Sequence, residues 1–162
     1  KGIFWFTQER YGVCVYNSET DELKHYTDSP NAKMLPLGNV TNLTRSKIKG
    51  SVWGVLYPFS LLIVKLHQDN MEIRQDICIN LHDVVKYPDH VLSLLEDKNQ
   101  DLWIGTNKGL FVYRISTKKL EVIDKELGSV NGIVQTNDGK IWFSISNKGI
   151  GFIKNDRRYS HP

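Results

Sequence analysis

Apolar and polar residues alternate along short segments of this 162-residue chain, and one type of segment returns four times. Each copy centres on a tryptophan with apolar neighbours, as in the run Ile3-Phe4-Trp5-Phe6. Period-two alternation over a few residues is typical of β-strands. The four tryptophans follow one another at spacings of 48, 50 and 39 residues: Trp5, Trp53, Trp103 and Trp142.

A glycine and a second apolar run follow the tryptophan in three of the four copies. The glycines are Gly12, Gly109 and Gly149, and each precedes a run such as Leu110-Phe111-Val112-Tyr113. Glycine at this place predicts a tight turn with a positive φ. The second copy keeps Trp53 without such a glycine, and its apolar run is Leu61-Leu62-Ile63-Val64.

Further strand-like segments lie on both sides of these pairs. Upstream segments cover 91–95 and 130–134, with a weaker equivalent at 40–44, and downstream segments cover 23–26 and 120–123. Asn, Asp and Gly cluster between the segments, as tight hairpins require. Helical periodicity is nearly absent, except that 81–87 predicts a single helical turn, which Pro88 would stop.

Four short antiparallel strands in a unit of about 40–50 residues predict a β-propeller blade. The fold class is therefore all-β, with about 3.5 to 4 blades of four-stranded antiparallel sheet, an incomplete propeller segment. The first unit begins at its tryptophan strand, so we expect it to lack an upstream strand. The whole chain is interpreted as one propeller segment with blade units at approximately 1–30, 38–80, 88–125 and 128–162.

Composition and charge exclude several functional classes. The net charge of +3 is too weak and too scattered to indicate a nucleic-acid partner. No stretch reaches the roughly 18 apolar residues of a membrane helix, and the longest candidate ends at Lys65, so we expect no membrane insertion of this segment. Cys14 and Cys78 lie in apolar, alternating contexts and are interpreted as buried free thiols of unspecified redox state.

Two of the repeated strings resemble a known family. The strings at 94–106 and 108–113 are similar to the two-component regulator propeller repeat, and the strings at 139–150 and 3–16 are weaker matches. The resemblance implies the extracytoplasmic, periplasmic sensor region of a hybrid two-component sensor histidine kinase, many of which detect oligosaccharides. Residues 54–88 fit the repeat poorly.

Catalytic and metal-binding chemistry finds little support in the chain. Asp97, Asn99 and Asp101 have the alternate spacing of the first half of a calcium loop, but the glycine and distal glutamate are missing, so a hairpin turn is the better interpretation. The histidines lack the paired spacing of a zinc site. No nucleophile motif is present, and we expect no catalytic residue, no metal and no cofactor.

Three functional hypotheses stay open. The first is a non-catalytic sensor segment with an oligosaccharide ligand, the second a protein-interaction scaffold, and the third a propeller lyase-type enzyme. The second unit departs most from the repeat, and inserted loops in repeat proteins often lie on the binding face, so Tyr57, Phe59 and His67 are candidate sugar contacts. Open blade edges also predict self-association. The residues with a structural role in the repeat are Trp5, Trp53, Trp103, Trp142, Gly12, Gly109 and Gly149.

Overall fold

The computed structural model describes residues 2–8, 12–25, 39–57, 62–84, 90–154 and 157–161. Within them, fifteen strands form four antiparallel sheets, and the only other regular element is a 3-10 turn. The all-β prediction is confirmed. The chain divides into two compact units, Lys1–Asn80 and Leu81–Pro162, and each unit contains two sheets. The interpretation of the whole chain as one propeller segment with four blade units stays a prediction.

The first unit contains sheets A and B, whose strands pair in chain order. Sheet A has three strands among the described residues, and sheet B has four. The strands of sheet A are β1 (Ile3–Gln8), β2 (Gly12–Asn17) and β3 (Glu22–His25). Those of sheet B are β4 (Asn39–Arg45), β5 (Ser51–Tyr57), β6 (Leu62–Asp69) and β7 (Glu72–Asn80).

The second unit contains sheets C and D, again with neighbouring strands paired in chain order. The strands of sheet C are β8 (Val91–Glu96), β9 (Leu102–Thr106), β10 (Gly109–Arg114) and β11 (Lys119–Asp124). Those of sheet D are β12 (Val130–Gln135), β13 (Ile141–Ile145), β14 (Gly149–Lys154) and β15 (Arg157–His161).

Each unit has its own apolar core between its two sheets. In the first unit, β1 and β2 contact β4, and valines of sheet A pack with valines and leucines of sheet B. In the second unit, β12 contacts β8 and β9 around Trp103 and Phe143. Successive residues of a strand point to opposite faces, and all five residues of β9 are buried, so this central strand buries apolar side chains on both faces of its sheet. Removing this apolar surface from water stabilises each unit.

The repeated tryptophans occupy β1, β5, β9 and β13. Trp53 and Trp103 are buried, whereas Trp5 and Trp142 are half-buried. Each indole brings a large apolar area to the packing of its sheet. The repeated glycines open the strands that follow, with φ angles of 70°, 132° and 86° at Gly12, Gly109 and Gly149.

Two details of the sequence interpretation change. Cys14 is buried, but Cys78 is exposed, so the prediction of a buried thiol at Cys78 is wrong. Cys78 lies on β7, an outer strand of sheet B, and the period of two that buries Ile79 directs Cys78 to the other face.

Residues Leu81–Asp83 form the 3-10 turn, while Pro88 is outside the described residues. No helix in the described part of the chain is long and apolar enough to cross a membrane.

Candidate functional site

A cleft of about 740 Å³ lies in the first unit, between β1 and the turn that joins β4 to β5. Its volume falls within the range of roughly 300–1,000 Å³ that is usual for small-molecule sites. Sheet A supplies the lining residues Gly2, Ile3, Phe4, Trp5, Asn17 and Glu19. Sheet B and its turn supply Leu43, Thr44, Arg45, Ser46, Ile48, Lys49, Gly50, Ser51, Val52 and Gln68.

Strand β1 forms one wall of the cleft. Ile3 and Trp5 pack against the core of the first unit, and they also line the cleft. Phe4 alternates with them and is 47% exposed. Because core contacts hold the Trp5 ring, its cleft side is a rigid apolar surface that needs little ordering when a ligand binds.

The β4–β5 turn forms the opposite wall, and it is longer than the corresponding turns of the second unit. Its closing bond runs from Ser46 N to Ser51 O, across five residues. The corresponding bonds of sheets C and D, from Asp97 N to Asp101 O and from Thr136 N to Lys140 O, span four residues. The extra residue widens the turn that carries Ile48 and Lys49 into the lining of the cleft.

Backbone hydrogen bonds hold this longer turn in one conformation. Gly50 has a φ of 79°, and its carbonyl accepts a bond from Gln68 N at 2.9 Å. A Cβ atom at Gly50 would lie 3.0 Å from Gln68 O, so glycine is required for the close approach to β6. The turn is therefore a fixed wall and not a free loop.

His67 contacts the lining of the cleft through Ser51. Its Nδ1 is 2.8 Å from the hydroxyl of Ser51, its partner across the β5–β6 pair. In sheet C, the corresponding pair is Asp101 and Arg114, joined by a 3.0 Å salt bridge. Sheet B thus replaces a charged pair with a histidine–serine pair, and Ser51 is the member that reaches the cleft.

Polar groups at the rim complete the site. Arg45 and Lys49 add positive charge from sheet B, and Glu19 adds negative charge from the β2–β3 turn. The Glu19 backbone N–H donates to Asn17 Oδ1 at 2.9 Å, which holds that turn. Nearby, the Tyr16 hydroxyl donates to Asp21, and this hydrogen bond raises the pKa of Tyr16. The rim offers hydrogen bonds and charges, as a binding site does.

The candidate residues named from the sequence are only partly brought together. Phe59 and the Tyr57 side chain lie outside the described residues. Tyr57 ends β5 and His67 pairs with Ser51 at its start, so six residues of strand, about 20 Å, separate them. His67 borders the cleft through Ser51, and Tyr57 is at the far end of the sheet.

Sequence reasoning did not connect Trp5 with the β4–β5 turn. Their proximity depends on the packing of β1 against β4, which no local pattern reports. One signal was available: the segment between β4 and Trp53 is longer by one residue than the segment before Trp103.

The carboxylates at Asp97 and Asp101 have structural roles. Asp97 accepts bonds from the N–H groups of Asn99 and Asp101 and from Trp103 Nε1, at 2.8, 3.0 and 2.9 Å. Asp101 accepts from Arg114, and burial lowers the pKa of Arg114 while its bonds to Glu121 and Asp101 raise it by more. These residues therefore form the hairpin turn predicted in place of a calcium loop. Among the described residues, no cluster of His, Cys, Asp and Glu could hold a metal ion.

The same stretch of sheet C matches a known family. Residues 88–108 match the family described as Two component regulator propeller, and they include the Asp97–Trp103 hairpin. Residues 88–108 therefore carry one two component regulator propeller repeat. The resemblance seen in the sequence is confirmed. No curated protein matches the chain.

Solved structures similar to this propeller chain include two extracellular domains of putative hybrid two component systems from B. thetaiotaomicron. The first is 21% identical with a TM-score of 0.69, covering 97% of this chain and 20% of that chain. The second is 19% identical with a TM-score of 0.53, covering 96% and 26%. The chain thus spans a fifth to about a quarter of their lengths. A β-propeller domain from Myceliophteria thermophila is 10% identical with a TM-score of 0.66, covering 91% and 46%. The fold is a β-propeller fold.

Proposed function

We propose that this propeller chain is a segment of the extracytoplasmic sensor region of a hybrid two-component regulator, and that it binds a carbohydrate-type ligand or relays its binding. The observation that carries the proposal is the family match at 88–108. The fold shared with extracellular domains of putative hybrid two component systems supports it. A periplasmic location and a histidine kinase in the parent protein belong to the same proposal.

The cleft of the first unit supports a binding role for the chain. It combines aromatic side chains with a few convergent polar groups, which is the usual composition of a small-molecule site. Rigid aromatic rings next to hydrogen-bonding groups suit sugar rings, because each ring has an apolar face and polar edges. A non-catalytic segment fits this lining, since chemistry would take place in other parts of the regulator.

Binding of labelled oligosaccharides to the purified chain tests the proposal. A panel that covers neutral and acidic glycans should contain at least one ligand that binds saturably in calorimetry and leaves the chain chemically unchanged. Failure of every glycan to bind would contradict a ligand-binding role for this segment. Cleavage of a bound glycan, detected by chromatography, would favour the lyase-type enzyme.

A protein-interaction scaffold is the second candidate, and one observation favours it. Phe4 and Phe6 are 47% and 48% exposed on the same face of β1, with ring centroids 6.5 Å apart. Paired exposed aromatic rings are typical of surfaces that contact another protein.

A further inference from the structure

We propose that the cleft between β1 and the β4–β5 turn takes an acidic oligosaccharide, with Trp5 against a sugar face and Arg45 and Lys49 on its carboxylates. This inference rests on the proposed function, because it names the ligand class and the site of the carbohydrate that the sensor segment binds. It assigns the site to residues outside the family match at 88–108.

The cleft has the shape and the wall that such a ligand needs. Its volume of about 740 Å³ is well above the lower limit of roughly 300 Å³ for small-molecule sites. Trp5 is half-buried and packs against the core, so its ring does not have to be ordered on binding. Phe4 also borders the cleft, but its ring lies with that of Phe6 on the other face of β1.

The positive charge of the opposite wall favours an acidic oligosaccharide over a neutral one. Arg45 ends β4 and Lys49 lies in the following turn, so one short segment places two cationic residues in the lining of the cleft. Among the lining residues that the structure describes, Glu19 is the single carboxylate, so these residues carry an excess of one positive charge. A guanidinium binds a carboxylate through two parallel hydrogen bonds, and an ammonium adds a point charge. A neutral sugar would form no ion pair with either cation.

The backbone that carries these cations is held in place before any ligand binds. Ile48 N donates to Ser46 Oγ at 3.1 Å, and Ser51 N donates to Ile48 O at 3.1 Å. The bond from Gln68 N to Gly50 O ties the turn to β6. A preformed turn loses little entropy on binding, so the attraction between the charges contributes more fully to affinity.

Calorimetry on the full chain tests the proposal with two trisaccharides of matched length, one acidic and one neutral. An oligogalacturonate trisaccharide should bind more tightly than a neutral galactose trisaccharide, and the difference should shrink as salt is raised from about 50 to 500 mM. Arg45→Gln and Lys49→Gln should each weaken binding of the acidic trisaccharide roughly tenfold. Neither substitution should change binding of a neutral sugar.

Lys47→Gln is the matched control, since Lys47 is an exposed lysine of the same turn that does not line the cleft. It removes the same charge and should leave binding unchanged. Trp5→Phe keeps an aromatic core residue and should weaken both trisaccharides, with the fold checked by circular dichroism. Nuclear magnetic resonance shifts on ligand addition should concentrate in 45–52.

The outcomes separate this inference from the proposed function. Equal affinity for both trisaccharides would overturn the acidic site, and so would an equal loss of affinity for the acidic trisaccharide in Arg45→Gln and Lys47→Gln. Either result would still be consistent with a segment that binds carbohydrate. Absence of binding by every glycan would instead overturn the proposed ligand-binding role itself. Binding of acidic peptides in place of glycans would overturn both and support the scaffold.

Discussion

At the scale of single residues, Asp97 shows how a carboxylate satisfies buried polar groups inside a hairpin. Asp97 is 3% exposed, and its two oxygens accept three hydrogen bonds, one of them from the Trp103 indole. The spacing of Asp97 and Trp103 in this hairpin therefore has a physical cause. The carboxylate closes the turn and orients the tryptophan that packs in the core of the second unit.

Replacing Asp97 by alanine should destabilise the second unit. Asp97→Ala leaves the Asp101 N–H and Trp103 Nε1 buried without this acceptor, so we expect the free energy of unfolding to fall by roughly 2–4 kcal/mol. Urea denaturation followed by tryptophan fluorescence measures the change. Asp138→Ala is the control, because Asp138 occupies the corresponding turn of sheet D but is exposed. Hydrogen bonds from Lys140 and Thr136 hold the pKa of Asp138 well below its usual range, yet its loss should matter less.

At the scale of single elements, the hairpins depend on glycine for two different reasons. Gly109 has a φ of 132°, and a Cβ atom there would lie 2.1 Å from the carbonyl oxygen of Asp124. Gly139 has a φ of 86°, and a Cβ atom there would meet nothing within 4 Å. The first glycine thus allows both a positive φ and a close approach of β11, whereas the second allows only the φ.

These two positions predict different costs for the same substitution. Gly139→Ala should lower the free energy of unfolding by about 1 kcal/mol, from the positive φ alone. Gly109→Ala should cost roughly 3 kcal/mol, since β10 and β11 must also move apart. Thermal or urea unfolding of the two variants measures the difference. Equal losses would show that the contact between Gly109 and Asp124 has no energetic weight.

At the scale of the whole molecule, sheet A differs from the other sheets because its tryptophan strand, β1, lies at the edge among the described residues. Among the described residues, β1 pairs only with β2, whereas β5, β9 and β13 each pair with a strand on both sides. The exposed rings of Phe4 and Phe6 lie beside that edge. An uncovered strand edge next to apolar side chains favours association with another chain.

Self-association is the expected consequence. Light scattering on a size-exclusion column should give twice the 18.7 kDa mass of one chain. Phe6→Ser should shift the population to the monomer, because it removes an exposed ring from β1. Val134→Ser is the control, since Val134 is 58% exposed on β12 in the second unit. A wild-type chain that stays monomeric at high concentration would contradict the prediction.

The strand pattern and the turns of this protein could be predicted from its sequence with few errors. The tryptophan strands, the glycines that open the next strands and the hairpin at 97–101 all depend on local rules: period-two alternation, positive φ and Asn or Asp in turns. The exposure of side chains on edge strands was harder to predict from the sequence, and Cys78 shows why. An apolar neighbourhood does not say which face of an edge strand another sheet covers.

The sequence by itself determined the all-β class, the repeat and the resemblance to the regulator propeller family, because each is encoded in neighbouring residues. Tertiary structure decided which residues meet. Lys65 seemed only to end an apolar run, yet it is buried, with its Nζ 4.9 Å from the centroid of the Trp53 ring. The cleft likewise exists because β1 packs beside β4, bringing Trp5 near Arg45 and Lys49. Contacts between residues some forty positions apart arise from the packing of sheets, and local periodicity does not contain them.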